Sequence, residues 1–413
     1  MMRLYRIELR RSPLLWCLPV LVLLDVAVLF GRHTWWVGVW PEASAAAQLP
    51  AFFFGLVLGG GAAWASGRVH RAGFSAQLEA AAVPAWRADA LLLAASVTYG
   101  LAAYLPGVVL AAVVSAPIAG PGFLWPSYLL LGVCMVVLCT SIGHLAGKLS
   151  ASRYVPPLVV AACMFGMMFT RQLFELYVLS APVQVQVSAT ALAARGGLAV
   201  LLAVLAVALP RAGRVPGWGV RPGAARTAGA AALVAGFVLV PLAGPLRVDR
   251  PAPEQPVCSA GSPRVCVWPE SRKYLQPIAA MAARLAALPS DVIEVPEVIY
   301  EAGVRGGMRS GEILRIEGDA SVPGDLALAV QAQSLEGCRP AAGREEPYYR
   351  ERLTLLHYLT LRALGPGHAV SPADAPPGVD GEKIAAVVRS AESAQAAWVR
   401  AQVSKIKTVG WCG

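Results

Sequence analysis

The run Gly143-His144-Leu145-Ala146-Gly147-Lys148-Leu149-Ser150 is the nearest this chain comes to a phosphate-binding loop. Such a loop needs a glycine five residues before the second glycine and a serine or threonine straight after the lysine, so that backbone amides cradle the phosphates and the hydroxyl holds the metal ion. Ile142 and Leu149 occupy those positions, so any ATP chemistry is expected on a separate subunit. In the C-terminal third the histidines are His357 and His368. No H-E-x-x-H pair exists, Glu351 and His357 stand six apart and off a common helix face, and no G-x-S-x-G turn is present. Glu294, Glu297, Glu301, Glu345, Glu346 and Glu351 offer enough acid for a paired-carboxylate site, but basic residues equal the acidic ones in this region and solvated surface is the expectation. No catalytic residue, metal site or bound cofactor is expected on this chain.

Two further features lie in apolar surroundings. Asp25 places a carboxyl in a hydrophobic segment, where it marks a polar pathway or a buried partner unless it lies close enough to the interface to be wetted. Gly55 and Gly59, followed by Gly60 and Gly61, form a small-xxx-small packing face, with a dimer seam as one place for it.

The elements that carry these residues are membrane spans. With 56% hydrophobic residues, 15% charged residues and a mean hydropathy of +0.57 over 413 residues, the chain is too apolar for an ordinary soluble domain. Apolar segments cover 13–30, 49–66, 90–117, 123–146, 155–170, 190–209 and 227–246, most of them near the roughly 20 residues a helix needs to cross the hydrocarbon. The first is not a cleaved leader: Trp16, Cys17, Pro19 and Asp25 interrupt it, and Phe30-Gly31-Arg32-His33 replaces the small-residue cleavage site. The fifth is short, and Arg195 interrupts the sixth, where it can snorkel to headgroups. His144, near the inner end of the fourth, is expected at the interface.

The formal charge of +10 belongs wholly to the apolar part, because residues 1–246 hold 16 Lys/Arg against 6 Asp/Glu while 247–413 hold 19 against 19. Thirteen of those 16 cations fall on one side of a seven-span arrangement, leaving only Arg32, Arg171 and Arg195 on the other. Short cytoplasmic loops carry such an excess, so the N-terminus is expected in the cytoplasm and residues 247 onward outside the cell membrane. The same placement accounts for the charge without nucleic acid, for which no motif exists.

Cysteine usage agrees with that parity. Cys258, Cys266, Cys338 and Cys412 all follow the last span, an even number in a compartment that permits disulfides. Of three pairings, Cys258 with Cys266 would close a small hairpin and Cys338 with Cys412 would staple the last helix; four buried thiols are the alternative. After a Pro-rich linker at 247–256 the pattern is α+β, with strands at 264–268, 292–300 and 313–316 and helices at 270–288, 325–335, 348–364 and 381–406. The domains are thus 1–226, 227–246 and 247–413.

At the N-terminus, Leu4 and Ile7, with Arg11 at i+7, share a helical face and the other arginines, Arg10 among them, ring the rest, which reads either as an interfacial amphipathic helix or as a basic tail. Between the second and third spans, residues 75–83 make a short helix capped by Ser75 and stopped by Pro84, either a docking element or a plain connector. The order of basic residue, glycine, helix, proline and arginine resembles the loop with which permease subunits of type-2 ABC exporters contact their ATPase. The resemblance rests on Arg71, Gly73, Leu78, Pro84 and Arg87, with Phe74 where a threonine is common and Glu79 within the helix, and extends to the Arg6–Arg11 opening and the six-span block, about residues 1–209. It implies a mainly α polytopic membrane protein: a six-helix permease-like bundle, to which this chain adds a seventh transmembrane helix and an extracytoplasmic α+β domain. It implies also a cytosolic ABC ATPase partner carrying ATP and Mg, and a homodimer or paired permease moving an apolar or amphipathic cargo. A non-transporting sensor or assembly factor, whose outer domain binds an envelope ligand, is the alternative.

Overall fold

The computed structural model describes residues 2–31, 35–71, 84–150, 152–169, 174–210, 222–305, 310–365 and 375–412. The chain divides into two compact units, one of residues 1–117, 122–181 and 185–248, the other of 118–121, 182–184 and 249–413.

In the first unit the helices are α1 (Met2–Arg11), α2 (Leu14–Gly31), α3 (Trp40–Gln48), α4 (Pro50–Arg71), α5 (Ala85–Ser115), α6 (Pro126–Leu149), α7 (Val155–Phe169), α8 (Ala189–Ala208) and α9 (Pro222–Leu242). Proline punctuates their starts: Pro41 and Pro126 sit in the first turns of α3 and α6, where a missing amide removes nothing the helix would use. Five stretches, from Leu14–Gly31, Trp40–Arg68, Trp86–Ser115, Pro126–Leu149 and Ala189–Ala208, are long and apolar enough to cross a membrane, and Val155–Phe169 and Thr227–Leu242 are shorter apolar helices. At 15 residues α7 is roughly 22 Å long, short of the roughly 30 Å of hydrocarbon. The exposed side chains of these helices include Val20 and Leu23, Leu105 and Val113, Leu158, and Val200, a surface that lipid covers favourably. Trp16, Trp64 and Trp86 are exposed toward helix ends, as interfacial aromatic side chains are, whereas Trp36 and Trp40 are buried. This is a mainly α membrane protein.

The core of this unit is a seam between α4 and α6. Gly55 faces Cys139, Gly59 faces Gly143, and Ala63 faces Gly147, so two small-xxx-small stripes lie on one another. A β-carbon on Gly143 would fall inside the carbonyl of Gly59, and one on Gly147 inside the carbonyl of Ala63. Gly55 and Gly59 therefore pack within the chain, not at a dimer seam. The helices meet backbone to backbone, the arrangement by which dispersion drives helix association in lipid. Phe54, Leu58, Met135 and Val136 flank the seam, buried.

The second unit holds a four-stranded sheet in the order β3 (Val257–Cys258), β4 (Arg264–Val267), β5 (Val298–Glu301), β6 (Ile313–Leu314), antiparallel at β3–β4 and parallel thereafter. Around it stand α10 (Arg272–Ala286), α11 (Val322–Ser334), α12 (Glu345–Leu364), α13 (Gly381–Val388) and α14 (Glu392–Val409). A second ladder pairs β7 (Cys338–Pro340) with β8 (Gly410–Cys412). In the first unit β1 (Val185–Val187) pairs with β2 (Arg247–Asp249). Leu285, Ile299, Leu326, Leu355, Leu359, Val399 and Ile406 are buried in the second unit. The strand expected over 292–300 is confined to its last residues, because Pro296 has no amide to donate and the amide of Glu294 goes to the Ser334 hydroxyl at 2.9 Å. The helix expected over 381–406 is two helices: the Gln395 side chain takes the carbonyls of Val388 and Ser390, which ends α13.

Gly143→Ala in the full-length protein should lower the melting point in detergent by an amount worth about 1–3 kcal/mol. The comparison is Gly197→Ala, whose added methyl meets nothing within 4 Å. Equal melting of the two variants would refute the seam.

Candidate functional site

The loop singled out by the sequence joins α4 to α5. Gly73, Phe74, Leu78 and Glu79 lie outside the described residues, as does the side chain of Arg71, whose backbone closes α4. Pro84 precedes α5 in extended geometry, which suits a proline just before a first turn, and Arg87 is exposed with its guanidinium 5.4 Å over the Trp86 ring. Glu8 of α1 pairs with Arg68 of α4 at 2.7 Å, Arg68 also donates to the Arg11 carbonyl, and the Tyr99 hydroxyl of α5 donates to the Leu9 carbonyl. Tyr5 meets Thr98 at 2.6 Å. Thus α1 is a helix tied to the end of α4 through Glu8 and to the middle of α5 through Tyr5 and Leu9, while Leu4 and Ile7 are exposed and Arg10 and Arg11 lie in its last turn.

The same end carries a buried charge cluster that the sequence did not announce. Asp89 of α5 accepts from Lys148 of α6 at 2.8 Å, and the Lys148 ammonium donates to the carbonyls of Ala206 and Val207, 2.9 Å each, at the end of α8. An ammonium has three hydrogens, and three acceptors meet them. His144 stands one turn back with Nε2 3.7 Å from Asp89. All three side chains are buried, so His144 is an interior group and not an interfacial one. Three helix ends are thereby fixed to one another at one place.

At the opposite end, buried polar side chains hold a stretch of non-helical backbone. Glu42 of α3 accepts from the Ser180 hydroxyl and the Ala181 amide, 2.9 Å each, and Gln48 donates to the Val178 carbonyl. Arg195 does not snorkel: it is 1% exposed, with Nε donating to the Phe174 carbonyl at 2.7 Å and Nη1 to Ala191 at 2.9 Å. Glu175, the one non-glycine among the described residues with a positive φ, accepts the Leu246 amide at 2.7 Å. Buried backbone outside a helix needs protein groups to satisfy it, and these side chains do so.

Asp25 is fully buried in α2, its Oδ2 accepting the Gly107 amide of α5 at 2.6 Å.

In the second unit the acidic set is dispersed. Glu346 lies exposed beside Arg350, Glu351 accepts from Gln402, and Glu294 accepts from Gln333. Of that set Glu301 is the interior one, its two oxygens accepting from the Trp268 amide at 2.8 Å and the Ser271 hydroxyl at 2.7 Å. Burial pushes its carboxyl from the ordinary 4.5 up to about 8, against the two hydrogen bonds, and neighbouring Glu270 adds to the rise. Glu270 in turn pairs with Arg250 at 2.8 Å, and the Arg250 guanidinium lies 4.6 Å over the Trp268 ring. The disulfides join Cys258 to Cys266 and Cys338 to Cys412, each linking residues that face one another across two antiparallel strands. Among the described residues no group of three or more His, Cys, Asp or Glu could hold a metal ion.

Compared with family models, with curated proteins and with solved structures, the chain matches none.

Lys148→Met should cost about 3–5 kcal/mol in detergent melts, since it strands Asp89 without its cation, and the double variant Asp89→Leu/Lys148→Met should lose less than the two singles summed. Additive losses would contradict the pairing. In the second unit, the folded Glu301 carboxyl holds its proton to about pH 8 while the unfolded one releases it near 4.5. The stability this proton contributes is therefore full below 4.5 and declines as pH rises through 8. Glu301→Gln should flatten that decline, read by chemical denaturation between about pH 5 and 8; an unchanged slope would count against it.

Proposed function

We propose that this chain is the transmembrane subunit of an ATP-driven exporter, of the kind the sequence resembles, coupling a cytosolic ATPase to movement of an apolar or amphipathic cargo. The observation that supports this most is the construction around residues 72–83. That segment joins α4 and α5; Glu8–Arg68 and Asp89–Lys148 tie the adjacent helix ends to α1, α6 and α8, and Tyr99, midway along α5, bonds the Leu9 carbonyl of α1. A push on the segment would reach five helices at once, which is what a coupling element needs and a plain connector does not. ATP comes from a partner in this reading: Gly143 and Gly147 are consumed by the seam with α4, and Lys148 already has three acceptors.

Orientation draws support from the composition of the second unit. It includes 118–121 and 182–184, and both lie on the cation-poor side of the seven-span arrangement together with residues 249–413. The charge bias favours that side as the outer one. The outer unit, closed by two disulfides, would gate or recognise cargo there.

The test is purification of the full-length protein from its own membranes in mild detergent. An ATPase subunit is expected to accompany the wild type, with recovery reduced about tenfold or more in Arg71→Glu and Arg87→Glu, as like-charge placement at a docking surface costs more than about 1.4 kcal/mol. Recovery of no ATPase with the wild type, or equal recovery with all three, would defeat the reading.

A further inference from the structure

Asp25 has a feature that a buried structural carboxylate lacks. It is 0% exposed, one oxygen accepts a single backbone amide, and the other, Oδ1, is buried with no hydrogen-bond partner among the described residues. The approach is close: a β-carbon at Gly107 would fall on the carboxyl group itself. Gly107 follows Pro106, which lies inside α5 and has no amide for the Ala102 carbonyl, so one helical bond is missing beside the amide that Asp25 takes.

Among the described residues no cation offsets a charge here. On α5, Asp89 is bound to Lys148, Arg87 lies over Trp86 at the helix start, and the hydroxyls of Tyr99 and Tyr104 donate to the carbonyls of Leu9 and Leu129. On α4, Arg68 is bound to Glu8, and His70 and Arg71 occupy its last turn. On α1, Arg3, Arg6, Arg10 and Arg11 lie outside the buried core, and Tyr5 is engaged with Thr98. On α3, Glu42 accepts from Ser180 and Ala181, and on α2 itself the other titratable group is Cys17, two turns away. An isolated carboxylate removed from water is so unfavourable that the group neutralises instead.

We infer that Asp25 is a proton-binding site within the membrane-spanning bundle: Oδ1 carries the proton and Oδ2 accepts the Gly107 amide. The ligand is a proton, and its release requires water or a cation to reach Oδ1 between α2 and α5, beside Pro106. Protonation and separation of these two helices are then linked, whatever drives the separation. This holds independently of the ATPase reading, and a protein that binds no ATPase would keep the site.

Infrared difference spectroscopy of the full-length protein at about neutral pH, wild type minus Asp25→Asn, is the test. The expected result is a neutral-acid carbonyl band in the wild type that the variant lacks, with both proteins melting at the same temperature. A pair of carboxylate bands in its place would overturn the inference. Should Asp25→Asn fail to fold, aspartate-selective labelling with heavy carbon in an Asp325→Asn background decides, since Asp325 also has a buried unpartnered oxygen: a neutral-acid band that shifts with the label supports the site, and one that does not shift, belonging to a glutamate such as Glu301, overturns it.

Discussion

Two backbones in van der Waals contact organise the membrane unit. Lipid is as apolar as leucine, so helices there gain nothing from hiding hydrocarbon and must gain from fit. The stripe Gly55, Gly59, Ala63 against Cys139, Gly143, Gly147 supplies that fit and fixes the register of α4 on α6. Lys148 is the residue after Gly147, so the register that seats the glycine also delivers the ammonium to Asp89 and to the last carbonyls of α8. A larger side chain anywhere along the stripe would displace the charge cluster along with the helix.

Polar groups in this unit follow one rule. Lys148, Arg195, Glu42 and Gln48 each bond backbone rather than relying on an opposite charge alone, and the backbone they choose is at helix ends or in the irregular 174–181 stretch. Carbonyls and amides left without a helical partner there are met by a long side chain reaching from a neighbouring helix. Leu246, fully buried and bonded through its amide to Glu175 and its carbonyl to Ser188, extends the rule to the chain leaving the last helix.

Hydropathy located the apolar helices because length and composition are local properties; hairpin spacing points to Cys258–Cys266, whereas Cys338 and Cys412, 74 residues apart, follow only as the remaining pair of an even set. Side-chain direction was less legible. Arg195 and His144 sit near helix ends in sequence, where snorkelling and interfacial wetting are the ordinary outcomes, yet each points into the bundle. Asp89 and Lys148 are separated by too many residues for any periodicity to link them, and Glu42 precedes an apolar run that looked complete from residue 49. A small-xxx-small stripe was visible on α4, but its complement on α6 was disguised as a failed nucleotide motif. Pro296 is the residue in the sequence that argues against a long strand at 292–300.

Arg250 donates its amide to the Gln184 carbonyl and its guanidinium to the Val183 carbonyl, while a β-carbon on Gly120 would overlap the carbonyl of Pro269. The globular unit is therefore assembled from three discontinuous pieces of polypeptide. Cutting the chain at residue 249 would yield a fragment missing two of its own tiles, with Trp268 uncapped on the side where Gln184 and Gly303 meet. A soluble version suited to crystallisation or antibody production would have to graft 118–121 and 182–184 back through engineered linkers.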